Sequence, residues 1–223
     1  MATSETHQAI RWRIESVGII PSVRTASADS ARFAAEAVAQ AGIPIVEIGM
    51  TVPDALGVIT ALRRHRDLIV GADSSWDIDS ARRAVDAGAM FVTSPGLDSR
   101  AILEFVVQED LVVIPGGITP TEIVTGWHAG ADFVKVFPCH SMGGPRYIES
   151  LRGPFPDIPM IASGGVNQVN AEDFILNGAV ALGIGTELIP KEAVDSRNAG
   201  WIAELARRFL AIVKGARATL GRA

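Results

Sequence analysis

The sequence predicts an α/β protein built as a single (β/α)8 barrel of the TIM type. Three observations carry this. Strand-like and helix-like stretches alternate eight times along 223 residues, a length usual for one barrel. No Gly-x-Gly-x-x-Gly follows the first strand, which counts against an open doubly wound sheet. One short frame also recurs: Gln40-Ala41-Gly42-Ile43, Asp86-Ala87-Gly88-Ala89, His128-Ala129-Gly130-Ala131 and Leu176-Asn177-Gly178-Ala179. Each glycine is placed to end a helix with left-handed backbone, and a strand follows. Their separations of 46, 42 and 48 residues are two βα units each, so they mark strands two, four, six and eight.

Taken in order, residues 1–14 read as a frayed tail or a short helix capping one end of the barrel. Residues 15–223 read as the barrel with its C-terminal helices, without a linker or composition break to mark a second domain. The first strand is predicted at 16–23, ending at Arg24. Ser27 or Asp29 caps a helix to about Gln40, with apolar positions at Ala31, Ala34, Ala35 and Val38. Residues 43–48 form strand two, and Pro53 opens a helix to about Arg64, as the first turn tolerates. Strand 68–72 precedes helix 77–86, strand 89–93 precedes helix 99–108, and strand 111–114 is the fifth. Thr119-Pro120-Thr121-Glu122 starts the next helix, with Pro at its first position and Glu at its third. Asp132-Phe133-Val134-Lys135-Val136-Phe137-Pro138 is strand six, followed by helix 144–151, strand 159–162, helix 170–176, strand 179–184 and final helices over 191–216.

Composition narrows the function. A formal charge of −5 and a pI near 5.4 argue against nucleic acid as a general partner. The single cysteine, Cys139, excludes an internal disulfide framework and fits a reducing compartment. The four histidines form no HxH or HExxH pattern, so no metal site is expected. No apolar run reaches the ~18 residues of a membrane span. The polar start lacks the apolar core of a signal peptide, so a soluble cytoplasmic protein is expected.

Of three lysines against seventeen arginines, only Lys135 lies in an apolar run. An ammonium there costs several kcal/mol unless paired or neutralised. Desolvation is expected to lower its pKa and free the amine as a nucleophile. Counting five residues on from each repeat glycine gives Glu47, Thr93, Lys135 and Gly183. Alternate barrel strands contribute to one interior layer, so this register puts Glu47 and Lys135 at one level, with room beside them. The alternative is that the frame reflects duplication alone, and both charges face the helices. A buried amine beside a carboxylate suits Schiff-base chemistry; an ion pair bracing the barrel is the plainer reading. Phosphate is expected at the loops after strands seven and eight, Ser163-Gly164-Gly165-Val166-Asn167 and Gly183-Ile184-Gly185-Thr186. Glycines admit backbone N–H groups to an anion, and a following helix N-terminus favours negative charge. Neither loop holds a Lys or Arg, and each glycine pair alone is more often a plain turn.

At this point the sequence resembles the 2-keto-3-deoxy-6-phosphogluconate / 4-hydroxy-2-oxoglutarate (KDPG/KHG) aldolase family. The likeness rests on Val46-Glu47-Ile48 with Pro53, Gly71-Ala72, Thr93-Ser94-Pro95-Gly96, Ile114-Pro115-Gly116 with Thr119, Val134-Lys135-Val136-Phe137-Pro138, Gly164-Gly165-Val166 and Gly183-Ile184-Gly185. It implies a class I aldolase on a (β/α)8 barrel, needing no metal or organic cofactor. The activity implied is cleavage of a 2-keto-3-deoxy-6-phospho sugar acid, or of 4-hydroxy-2-oxoglutarate, to pyruvate and an aldehyde, in Entner–Doudoroff-type carbohydrate metabolism. Lys135 would form the Schiff base and Glu47 would be the general acid/base. Phe137 would wall the pocket, and Pro95 and Thr119 would lie near the keto acid. Gly164, Gly165, Val166, Gly185 and Thr186 would grip the phosphorylated aldehyde, and the usual assembly would be a homotrimer.

The departures bear on substrate. Gluconate-type enzymes carry an arginine four residues after the glutamate, where this chain has Thr51. Arg24 instead ends the first strand, as in the 2-keto-3-deoxy-6-phosphogalactonate branch, which Gly144-Pro145-Arg146-Tyr147-Ile148 also resembles. Arg24 is therefore assigned to the substrate carboxylate, with a surface arginine as the alternative. The family's Gly-Ala-Gly-Thr becomes Gly71-Ala72-Asp73-Ser74: Ser74 supplies the hydroxyl, while Asp73 adds a carboxylate near the mouth, unfavourable to an anion. Cys139-His140 replaces small residues. A sugar-phosphate isomerase or epimerase using Glu47 and Asp73 without an imine, and a non-catalytic sugar-acid binding barrel, stand as alternatives.

Overall fold

A computed structural model describes residues 4–73, 77–96 and 100–221. Its strands are β1 (Ile19–Val23), β2 (Ile45–Gly49), β3 (Ile69–Asp73), β4 (Phe91–Thr93), β5 (Val112–Ile114), β6 (Gly116–Gly117), β7 (Val134–Val136), β8 (Met160–Ser163) and β9 (Ala181–Ile184). Its helices are α1 (Glu5–Val17), α2 (Ala28–Gln40), α3 (Ala55–Leu62), α4 (Ile78–Asp86), α5 (Arg100–Gln108), α6 (Pro120–His128), α7 (Pro145–Arg152), α8 (Ala171–Leu176), α9 (Lys191–Asp195) and α10 (Ala199–Thr219).

All pairings are parallel, in the order β5-β4-β3-β2-β1-β9-β8-β7-β6. The two ends of that order are consecutive in sequence. β5 and β6 are halves of one barrel strand, broken at Pro115, which has no N–H to donate. The break preserves pairing, because the Pro115 carbonyl accepts from the Lys135 N–H at 2.8 Å. β5 pairs with β4 and β6 with β7, so eight strands close a ring. The expected (β/α)8 barrel is what the chain forms.

The repeat glycines do the work assigned to them. Gly42, Gly88, Gly130 and Gly178 have φ of 101°, 104°, 97° and 106°, and each turns a helix end back toward a strand. Ser27 caps α2 and Asp77 caps α4. Thr119 and Glu122 form a reciprocal capping box on α6, with Pro120 in the first turn.

Of the boundaries that shift, two have a clear local cause. Residues 16 and 17 belong to α1 rather than to the first strand, because Gly18 (φ 70°) ends that helix with left-handed backbone. Pro53 does not open α3: Asp54 follows it as the N-cap, its carboxylate accepting from the Gly57 N–H at 3.3 Å, and the helix begins at Ala55.

Side chains alternate across each strand. Val46, Ile48, Val134 and Val136 point outward into the large apolar cluster shared with the helices. Ile20, Ile45, Phe91, Phe133, Ile161 and Ala181 point inward and form a separate cluster at the lower end of the barrel. Ile10 and Ile14 of α1 enter that cluster from below. Beside it the His7 ring bonds the Asp132 carboxylate at 2.6 Å, and Asp132 also accepts from the Val113 N–H at 3.0 Å. Glu5–Val17 thus form the capping helix, one of the two readings of this segment, seated in one end of the barrel.

Candidate active site

One step up from the apolar plug, the inward positions turn polar. Ser22, Glu47, Asp73, Thr93, Lys135, Ser163 and Gly183 share this upper part of the interior, and the register fixes it: Ser22 pairs with Glu47, Asp73 with Thr93 and Ser163 with Gly183. Glu47 and Lys135 are 2 % and 4 % exposed. The Lys135 ammonium Nζ donates to Glu47 Oε1 at 3.2 Å and to Asp73 Oδ1 at 3.1 Å. The inward reading of both charges is therefore correct, and outward-facing charges are excluded.

Hydroxyls tie the acids together. Thr93 Oγ1 lies 2.8 Å from Glu47 Oε2 and 2.9 Å from Asp73 Oδ1. Ser22 Oγ lies 2.7 Å from Glu47 Oε1 and 3.2 Å from Asp73 Oδ2. Each hydroxyl has one proton for two acceptors, so each serves one acid at a time.

Asp73 overturns its sequence-based placement. It is not at the mouth but fully buried at the centre, paired with both Lys135 and Arg24. Arg24 Nη2 contacts Asp73 Oδ2 closely, and Arg24 Nε donates to the same oxygen at 3.2 Å. Arg24 is half-exposed, so it spans from the buried acid to the open cavity. It is not the plain surface arginine weighed as an alternative.

The electrostatics separate the acids. Burial pushes Glu47 up, the Asp73 charge pushes it further, and Lys135 with the two hydroxyls only partly opposes this. Burial also pushes Asp73 up, but Lys135 and Arg24 outweigh it and hold that carboxyl far below the usual range. Paired acids driven apart in this way divide into a proton carrier and a fixed anion. Lys135 corrects the expectation of a lowered pKa. Burial does act downward, but the charges of Glu47 and Asp73 outweigh it and raise the amine above the ordinary lysine value. Two carboxylates within hydrogen-bond distance thus favour the ammonium form of this side chain.

Above this layer lies a cavity of about 300 Å³. Among its walls are Arg24, Lys135, Phe137, Gly164, Gly165, Val166, Gly185 and Thr186, all expected from sequence. Gly164 and Gly165 have φ of 85° and 80°. A Cβ on Gly165 would lie 2.4 Å from the His140 Cβ, so that loop and the segment after β7 require each other's shape. Neither glycine loop runs directly into a helix, contrary to expectation: α8 begins at Ala171 and α9 at Lys191. Asn170 takes up the intervening turn, accepting from the Asn167 N–H at 2.8 Å and donating to the Gly165 carbonyl at 2.9 Å. An anion there would be met by loop backbone and the Thr186 hydroxyl, without an adjacent helix end.

Two expected residues are not in the cavity wall. Thr119 is exposed and spends its hydroxyl on Glu122, 2.9 Å away. Pro95 packs its backbone over Gly116, the register partner of Lys135, one strand away from the amine. Ser74, like Trp76, lies outside the described residues. Conversely, Glu187 lines the cavity unforeseen. Tyr147, within the Gly144–Ile148 motif, donates its hydroxyl to the Ile118 carbonyl and ties α7 to the loop before α6. Cys139 is buried and its thiol is pushed up to about 12, so it remains an inert packing group. Among the described residues, no group of three or more His, Cys, Asp or Glu is arranged to hold a metal ion. No described helix is long and apolar enough to cross a membrane.

The family model for KDPG and KHG aldolase matches residues 10–205. The chain belongs to the KDPG and KHG aldolase family. The 2-dehydro-3-deoxy-phosphogluconate aldolase of Pseudomonas aeruginosa is 32 % identical over 177 residues, 79 % of this chain and 80 % of that protein. A Legionella pneumophila KDPG aldolase, with pyruvate captured as a covalent carbinolamine, superposes with a TM-score of 0.82 at 27 % identity, covering 91 % of this chain and 97 % of that one. A native KDPGal structure superposes at 0.81 with 26 % identity, covering 89 % and 95 %.

Proposed function

We propose that this protein is a class I aldolase that cleaves a 2-keto-3-deoxy-6-phospho sugar acid of gluconate or galactonate type, or 4-hydroxy-2-oxoglutarate, to pyruvate and an aldehyde such as glyceraldehyde 3-phosphate. One observation carries the reading. The only lysine of the barrel interior points into a cavity wall, 3.2 Å from a buried glutamate, in a chain of this aldolase family.

The neutral Lys135 amine attacks the C2 ketone, and loss of water gives an iminium. Glu47 in its carboxylate form takes the C4 hydroxyl proton, the C3–C4 bond breaks, and its electrons enter the iminium to form an enamine. The aldehyde leaves. Glu47 then returns its proton to C3, and water releases pyruvate and the amine. A carboxyl held above its ordinary range suits this two-way role. Arg24 takes the substrate carboxylate, with Ser74 beside it. Phe137 walls the pocket, and Gly164, Gly165, Val166, Gly185 and Thr186 hold the phosphate through backbone N–H groups and one hydroxyl. The reaction needs no metal or organic cofactor, since the iminium is the electron sink. The working form is a cytoplasmic homotrimer in Entner–Doudoroff-type carbohydrate metabolism.

The test is turnover of 2-keto-3-deoxy-6-phosphogluconate, its galactonate epimer and 4-hydroxy-2-oxoglutarate, with pyruvate measured directly. Pyruvate from at least one supports the reading. An isomerised sugar phosphate without pyruvate, or binding without turnover, would replace it with an isomerase or a binding barrel. Light scattering on an eluting column tests the trimer.

A further inference from the structure

Asp73 has no part in the mechanism above, yet it touches its central atom. It is fully buried, and the resemblance drawn from the sequence implies a glycine at this place. Its two oxygens are divided: Oδ1 faces the Lys135 amine at 3.1 Å, and Oδ2 faces Arg24. Arg24 is half-exposed and lines the cavity that Lys135 also lines, so a substrate carboxylate can reach the guanidinium that Asp73 holds.

The resting site poses a problem for imine chemistry. An ammonium has no lone pair, so Lys135 must lose a proton before it attacks. Two carboxylates bond to the amine among the described residues. Glu47 has its carboxyl pushed up by burial and by the Asp73 charge, and the mechanism above reserves it for the C4 hydroxyl proton, so it cannot also hold the proton of the amine. Asp73 is ionised but is stabilised as an anion by Lys135 and Arg24 together. Losing either partner makes it a stronger base. The other charged group on the cavity wall is Glu187, which is exposed and touches neither acid in any hydrogen bond of the site.

We propose that Asp73 is a proton acceptor switched on by substrate: it holds Lys135 as an ammonium while Arg24 is its partner, and takes that proton when a substrate carboxylate draws Arg24 away. The transfer is balanced. The Nζ–H bond breaks and an Oδ1–H bond forms across 3.1 Å. One cation and one anion become a neutral amine and a neutral acid. The substrate carboxylate replaces Asp73 as the counter-ion of Arg24, so the charge at the guanidinium is unchanged. A ketone without a carboxylate meets the same pocket but leaves Arg24 on Asp73, and the amine stays protonated. Asp73 thereby makes keto-acid recognition a condition of nucleophile release, not only of binding.

The proposal rests on the aldolase reading, and the test separates the two. Pyruvate or pyruvamide is mixed with the full chain and cyanoborohydride at neutral pH. The rate of Lys135 alkylation is followed by peptide mass spectrometry over a range of ketone concentrations. In the wild type, the maximum rate with pyruvate exceeds that with pyruvamide by about a hundredfold, the scale of a positioned base. In D73N the two maximum rates come within about threefold, while the half-saturating pyruvate concentration falls because the Asp73 carboxylate no longer competes for Arg24. This opposite movement of rate and affinity is not produced by a merely structural residue. Circular dichroism checks folding, and D73G, which restores the family residue, replaces D73N if the latter does not fold. A wild-type ratio of maximum rates that persists in the folded variant overturns the proposal alone. No adduct on folded wild-type protein with either ketone overturns the aldolase reading and this proposal with it.

Discussion

The same strands build two very different interiors, one step apart. At the lower level, Ile20, Ile45, Phe91, Phe133 and Ile161 meet Ile10 and Ile14 of the plugging helix in a buried apolar cluster. Two residues further along each strand stand Ser22, Glu47, Thr93, Lys135 and Ser163. Because side chains alternate with a period of two, the backbone that seats the plug also aims the polar groups. The lower layer stabilises the ring, and the upper layer uses that rigidity. One amine is held within 3.2 Å of two acids, in direct hydrogen bonds. Burying this set is not a route to stability, since such pairs roughly balance their desolvation against their attraction. Its return is in reactivity.

If that division is right, the two layers fail differently. The largest effect belongs to the upper layer. Lys135→Met should lower turnover by at least about a thousandfold, because no other amine can form the imine, and should leave circular dichroism unchanged. Glu47→Gln should lower kcat by about a hundredfold or more while Lys135 still forms a reducible adduct with pyruvate, which single-turnover trapping would show. In the lower layer, Phe133→Ala should cost about 3–5 kcal/mol in urea unfolding through the cavity it leaves, while the folded fraction retains most of its activity. An activity loss in Phe133→Ala equal to that of Glu47→Gln would dissolve the distinction.

Two smaller predictions sharpen it. Lys135 has its folded-state pKa raised above the ordinary 10.5, so the stability it adds is complete below that pH and is lost as pH rises through the folded value. Urea midpoints of the wild type should therefore fall on going above about pH 10.5, and those of Lys135→Met should fall less. Thr119→Ala should cost only about 1 kcal/mol by loss of a helix cap. Its KM should stay unchanged if the hydroxyl serves Glu122 alone; a raised KM would give Thr119 back its place beside the keto acid.

Much of this is legible in the sequence. The repeat glycines set the phase of β2, β4, β7 and β9, and a fixed count from each found Glu47, Thr93, Lys135 and Gly183. That works because a helix cap fixes where the next strand starts, and pleating fixes which residues turn inward. Asp73 was misplaced for the same reason in reverse. It lies on β3, between two framed strands, where no glycine sets the phase, and only the pairing of Gly49 with Asp73 reveals its level. The raised pKa of Lys135 could not be read either, since it depends on two acids from strands 88 and 62 residues away meeting at one nitrogen. Thr119 shows the limit of reading a motif by type alone: the residue is present at the matching position, but its hydroxyl is committed to the capping box.

The most direct test of the central claim is to treat the protein with pyruvate and borohydride and map the modified peptides. The chain holds three lysines, so the answer is unambiguous. The account predicts one stable pyruvyl adduct, on Lys135, absent from Lys191 and Lys214 and lost on prior denaturation. Unmodified Lys135 in the folded protein, or modification of all three lysines alike, would contradict it.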